Sequence, residues 1–245
     1  MHVSAEAVVL VPLLALAYAA LARRTHPEPR RIASAGAALA LIVAAFATEL
    51  QQLATHTFLW AHLLQNVVLA EWAPALLALA VPPEAARRVR VPMIVGLPLW
   101  LLVYAVWHVP AIYDYALHHQ RSLLHVEHLT YLLAGLALWW PVVHGRQPSG
   151  VKAVYVFAAF VLGSPLGLLL ALIPRAIYSF YANAPRTWGP GPLQDQQLGG
   201  ITMSLEQAAV FFAVFAVYLL RFLRDEQRDP ELFALELRRE ALRRR

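Results

Sequence analysis

Val151 to Ile173 reads VKAVYVFAAFVLGSPLGLLLALI, with a single charge, Lys152, at its start. As a helix rising 1.5 Å per residue it would extend about 34 Å, enough to cross a hydrocarbon core of about 30 Å. Six further stretches of similar character flank it, at residues 3–22, 32–54, 57–81, 91–110, 123–143 and 199–223. The intervals carry charge, proline or glycine: Arg23 to Arg31, Pro82-Pro83 to Arg90, Pro110 to Ser122, and Gly145 to Gly150. Thr55-His56 reads as a tight turn, and Pro174 to Leu198 as a long loop rich in Pro, Gly and aromatics. The expectation is an all-α membrane protein of about seven transmembrane helices, with residues 1–223 forming one domain.

The composition agrees. Hydrophobic residues make up 60% of the 245 and charged ones only 14%, where a soluble domain carries roughly a quarter. Mean hydropathy is +0.54 and the pI is about 9.8. There is no cysteine, which excludes disulfides, thiolate metal sites and thiol redox chemistry. The first residues lack the basic segment of a signal peptide, so the first span reads as a retained helix.

The basic residues are unevenly placed. With the N-terminus outside, Arg23, Arg24, Arg30, Arg31, Arg87, Arg88, Arg90, Arg146, Lys152 and the eight arginines from Arg221 onward fall inside. Only Arg121, Arg175 and Arg186 fall outside. Lys/Arg bias sets membrane topology, so the expected orientation is N-out, C-in. The same pattern rejects nucleic acid as a partner, because the charge marks a membrane side and not a binding face. Residues 224–245 form a basic cytoplasmic tail. After Pro230 it has the pattern of a short amphipathic helix that would lie on anionic lipid; a solvated tail fits equally.

The ten histidines are distributed in the opposite sense. His26 and His144 fall inside, whereas His2, His56, His62, His108, His118, His119, His125 and His128 fall in outer loops or near outer helix ends. His62 and His128 each lie about 7–8 Å into their spans, with His125 one turn above His128. His108 ends the fourth span and Met203 lies about 6 Å into the seventh. Neighbouring helices would gather these imidazoles and the thioether into one shallow outer pocket able to hold a metal. The competing reading for each is a hydrogen bond between helices, which prevails for His118 and His119. Glu49 and Glu127 are placed to tune a metal or hold a ring, and Asp114 and Asp195 fall in outer loops. Glu71 and Glu206 lie deeper and should face the interior, paired with other groups. Tryptophans and tyrosines at span ends form an interfacial belt. No phosphate loop, nucleophile elbow or His-Glu-x-x-His motif is present, so the chain reads as no enzyme of the soluble type.

Several stretches resemble the CtaG family of caa-type cytochrome c oxidase assembly factors. They are His62-Leu63-Leu64-Gln65 running to Ala73-Pro74-Ala75-Leu76-Leu77, Trp107-His108-Val109-Pro110-Ala111-Ile112-Tyr113-Asp114, and His125-Val126-Glu127-His128 ahead of Trp139-Trp140-Pro141. Pro185-Arg186-Thr187-Trp188-Gly189 and Asp195-Gln196-Gln197-Leu198-Gly199-Gly200 to Met203 complete the set. Two positions depart from the family pattern: Asn66 stands where a second histidine is usual, and Glu71 where an apolar residue is.

The resemblance implies a bacterial inner-membrane factor that helps mature a haem–copper oxidase and handles copper at the outer face. On that reading His62, His108, His125, His128 and Met203 are the candidate ligands, and the carboxylates of Glu127 and Asp195 hold or tune them. Its partners would be membrane lipids, one or more oxidase subunits and a copper donor protein. Two rivals stand beside it: a haem-binding electron carrier with axial histidine pairs, and a metal-free structural partner of an oxidase. A transporter is third, since no continuous polar path to the inner side is visible beyond Glu71 and Glu206.

Overall fold

The structure, a computed structural model, describes residues 4–119 and 122–243, with side chains to Gln227. His2, Arg121 and the side chains of the 228–245 tail lie outside the described residues. Among the described residues all regular structure is helical. Among the described residues six helices are long and apolar enough to span a membrane, or seven if a bent pair is counted as one span.

The spans are α1 (Glu6–Thr25), α2 (Pro29–Phe46), α4 (Leu59–Ala80), α8 (Ser122–His144), α9 (Ser149–Leu172) and the membrane part of α11 (Pro192–Arg243). The bent pair is α6 (Met93–Trp107) with α7 (Pro110–His118), which meet at 63°. Short helices α3 (Glu49–His56), α5 (Pro83–Ala86) and α10 (Ser179–Asn183) complete the chain.

Three boundaries differ from the sequence expectation, each for a local reason. The second span stops at Phe46 instead of continuing to residue 54. Thr48 ends it by donating its hydroxyl to the Ala44 carbonyl at 2.7 Å, while accepting from the Leu50 N–H at 3.3 Å to start α3. One hydroxyl thus caps two helices. The 110–122 interval is not an open loop. At Val109 the backbone is extended, as a residue before proline prefers, and α7 starts on Pro110 at N1. The last span begins at Pro192, seven residues earlier than expected, inside what read as loop. Its helix continues through Pro230 to Arg243.

The bundle is centred on α4, two thirds of whose most apolar stretch is buried, against 6% for α1. Within α4, residues Val68–Trp72 widen into a π-helical turn. Pro74 follows and leaves the Ala70 carbonyl without its helical donor; the Trp100 indole N–H supplies one at 3.3 Å. Gly135 of α8 packs against the same carbonyl, where an added Cβ would sit 2.3 Å from the oxygen. Helices α9 and α11 approach as closely through Gly167 and Gly200. Outward-facing side chains such as Ile94, Leu172 and Val154 stay exposed, as a lipid-facing surface requires. This is a multi-pass membrane protein.

Candidate metal centre

Three helices converge near the end of the bundle farthest from the arginine-rich loops. Helix α4 contributes His62, α8 contributes His125, Glu127 and His128, and α1 contributes Glu6 from the π-helical turn at its start. His62, Glu127, His128 and Glu6 are all buried, and only the His125 side chain, 53% exposed, faces outward. Potential ligand atoms form two overlapping triads, His62–Glu127–His128 and Glu6–His125–His128, each within 4.8 Å. His128 belongs to both.

The hydrogen bonds fix which atoms are available. Tyr181 donates its hydroxyl to the Ala54 carbonyl at 2.5 Å. Its oxygen therefore accepts from His62 Nδ1 at 2.9 Å, which places the ring proton on Nδ1 and leaves Nε2 a bare lone pair. Burial holds the Tyr181 phenol well above its ordinary range, so that donor persists across physiological pH. His128 is set the same way: Nδ1–H donates to Glu6 Oε1 at 2.7 Å, the carboxylate–histidine arrangement that orients metal-binding rings. Glu6 Oε1 also takes His125 Nδ1 at 2.6 Å. Glu127 is held by Asn66, whose Nδ2 donates to Oε1 at 2.8 Å.

What is left over is chemically specific. His62 Nε2, His128 Nε2 and Glu127 Oε2 are all buried without a hydrogen-bond partner. His62 Nε2 lies 3.4 Å from Glu127 Oε2, and the two rings lie 5.9 Å apart. Unpaired buried acceptors are costly. With one ligand atom from each of His62, Glu127 and His128 within 4.8 Å of the others, the set fits a cation, and two imidazoles with a carboxylate suit Cu(II), Zn or Fe(II).

The other candidate ligands are placed differently. His108 stacks on Tyr104 at 5.3 Å and donates Nδ1 to the Tyr104 carbonyl at 2.8 Å; its buried Nε2 has no partner. It belongs to neither triad. Met203 is buried in the apolar core beside Gly167. Asp195 accepts from the backbone N–H groups of Leu59 and Trp60 at 2.9 and 3.0 Å and pairs with Arg186 at 2.8 Å. It anchors the start of α4, three residues before His62, and so acts on the helix and not on a ring. Asp114 does the same for α10, accepting from Ser179 and Phe180, and α10 carries Tyr181.

Glu6, Tyr181 and Asn66 are the residues the sequence reading did not assign to the site. The only sequence signal for Glu6 is a carboxylate at the mouth of the first span. A second buried cluster answers for Glu71. Its Oε1 accepts from Tyr104 at 3.0 Å and Gln207 at 2.9 Å, and its carboxyl faces that of Glu206, which the Trp72 indole also reaches.

Fold and site define a polytopic helical membrane protein with a histidine–carboxylate cluster buried at one end. The family model described as cytochrome c oxidase caa3 assembly factor (Caa3_CtaG) matches residues 13–225. The chain belongs to that family of oxidase assembly factors. No curated protein and no solved structure matches it. Glu6 lies ahead of the matched segment.

Proposed function

We propose that this assembly factor binds copper transiently at the His62–Glu127–His128 triad, on the outer face of the membrane, and passes it to an oxidase subunit. The observation that carries this reading is that three buried side chains, His62, Glu127 and His128, each bring one potential ligand atom within 4.8 Å of the others while another polar atom of each is already hydrogen-bonded. The donor set favours Cu(II) over the softer Cu(I). The partly exposed His125 side chain marks the outer edge of the site, and Glu6 holds His125 and His128 in place.

The 3.4 Å spacing of His62 Nε2 and Glu127 Oε2 admits a single ion between them and no macrocycle, which disfavours the haem alternative. The asymmetry of the basic loops supports an outer-side position for this site in a bacterial inner membrane, with the C-terminus cytoplasmic. A copper donor protein and the recipient oxidase subunit would meet it there.

The test is competitive copper titration of the purified full chain, with thermal unfolding in parallel. His62→Ala should lose copper and keep its fold, whereas His118→Ala should bind like the parent. Parent-like binding by His62→Ala would end the copper reading. Normal oxidase maturation by a copper-free variant would leave the structural-partner role in its place.

A further inference from the structure

At the opposite end of the bundle, a cavity of about 1400 Å³ opens among α2, α4, α5, α8 and α11. It exceeds the roughly 300–1,000 Å³ of ordinary small-molecule pockets. Six arginines line it: Arg30, Arg31, Arg87, Arg90, Arg146 and Arg221. No Asp or Glu is among its lining residues.

Three of the arginines have other work. Arg31 donates to the Leu79 and Val81 carbonyls at the end of α4, Arg30 pairs with Glu28, and Arg221 lies over the Tyr218 ring. Among the described residues, Arg87, Arg90 and Arg146 have no hydrogen-bond or ion-pair partner, and all three are exposed. Above this cationic rim the wall turns apolar, through Leu79, Ala75, Val214 and Val210. Along α11 the cavity runs from Arg221 to Val210, about 16 Å at helical rise. A soluble anion would use the rim and leave the apolar depth empty. An acidic peptide would have to bury backbone in it.

We infer that this crevice is a specific site for an anionic phospholipid, its phosphate held by Arg87, Arg90 and Arg146 and its acyl chains lying along Leu79, Ala213 and Val214. The bundle would then carry a lipid at its basic end independently of any metal at the other. Basic pockets between spans on the positively charged side recognise such headgroups.

The experiment uses the full chain in a neutral detergent, probed with phosphatidylglycerol, with phosphatidylcholine of matched chains, and with glycerol 3-phosphate. Phosphatidylglycerol should be retained in native mass spectrometry and should raise the unfolding temperature; the other two should do neither. Arg87→Gln/Arg90→Gln/Arg146→Gln should weaken its binding on the order of 100-fold, about fivefold per arginine. Ala213→Trp keeps every arginine and fills the crevice, so it should lower retention by sterics alone and serves if the triple variant does not fold. Equal retention of the two lipids would overturn the proposal. So would glycerol 3-phosphate competing as well as the lipid, stabilisation by haem in place of the lipid, or unchanged retention in Ala213→Trp.

Discussion

Two buried polar clusters hang on α4, separated by the nine residues from His62 to Glu71, about 13 Å along the helix. They are wired in opposite ways. In the histidine cluster Nδ1 of His62 and of His128 is bonded to Tyr181 and to Glu6, and Nε2 of each is left without a hydrogen-bond partner. In the acid cluster the donors of Tyr104, Gln207 and Trp72 point inward, onto two carboxyls that face each other. The first arrangement lacks a positive charge at its centre, which on the proposed reading a metal would supply. The second is completed by neutral donors from the protein itself. Burial of acids therefore does not by itself point to a metal; the direction of the donors is what separates the two clusters.

The largest effect that would sharpen this contrast is expected from His128→Ala. It removes the ligand common to both triads and should cost on the order of 100-fold or more in copper affinity, above what loss of a hydrogen-bond partner typically costs. Competitive titration measures it, and circular dichroism should show the helices intact. Glu6→Gln comes next. It leaves the His62 triad in place but removes the carboxylate behind His128, so about 10–100-fold weaker binding is expected. A loss of helix content in this variant would instead make Glu6 a structural tie between α1 and α8.

Tyr181→Phe is gentler. The Nδ1–H of His62 loses its acceptor and the tautomer is no longer fixed, for which roughly a tenfold drop is expected. The Ala54 carbonyl also loses its donor, so the unfolding temperature should fall, by about 1–3 kcal/mol of stability. Glu71→Gln should be the smallest. Copper affinity should be unchanged, because the acid cluster is wired inward on itself. A copper defect in Glu71→Gln would break the comparison and join the two clusters into one functional path.

Much of the bundle was legible in the sequence because lipid imposes a one-dimensional rule. Apolar length gave the spans, and six of the arginines that read as belonging to one side line one cavity. Matched depth also grouped His62 with His128, since depth follows from helical rise alone. Breaks made by single side chains were less visible. Thr48, ending one helix and starting the next, looks like any polar residue in an apolar run. Proline at 110 was read as a boundary, correctly, but the helix beyond it lacks the length that marks a span.

By itself, the sequence determined a helical membrane protein with basic residues at one end and histidines at the other, because hydrophobicity and charge act locally along the chain. Only the tertiary structure decided that Glu6 stands behind His128, 122 residues away. It alone set Asp195 under the first turn of α4 and Asn66 on Glu127. Those pairings depend on which helices are neighbours and how each is rotated. That is settled by packing around glycines such as Gly135 and Gly200, and no periodicity in a single segment encodes it.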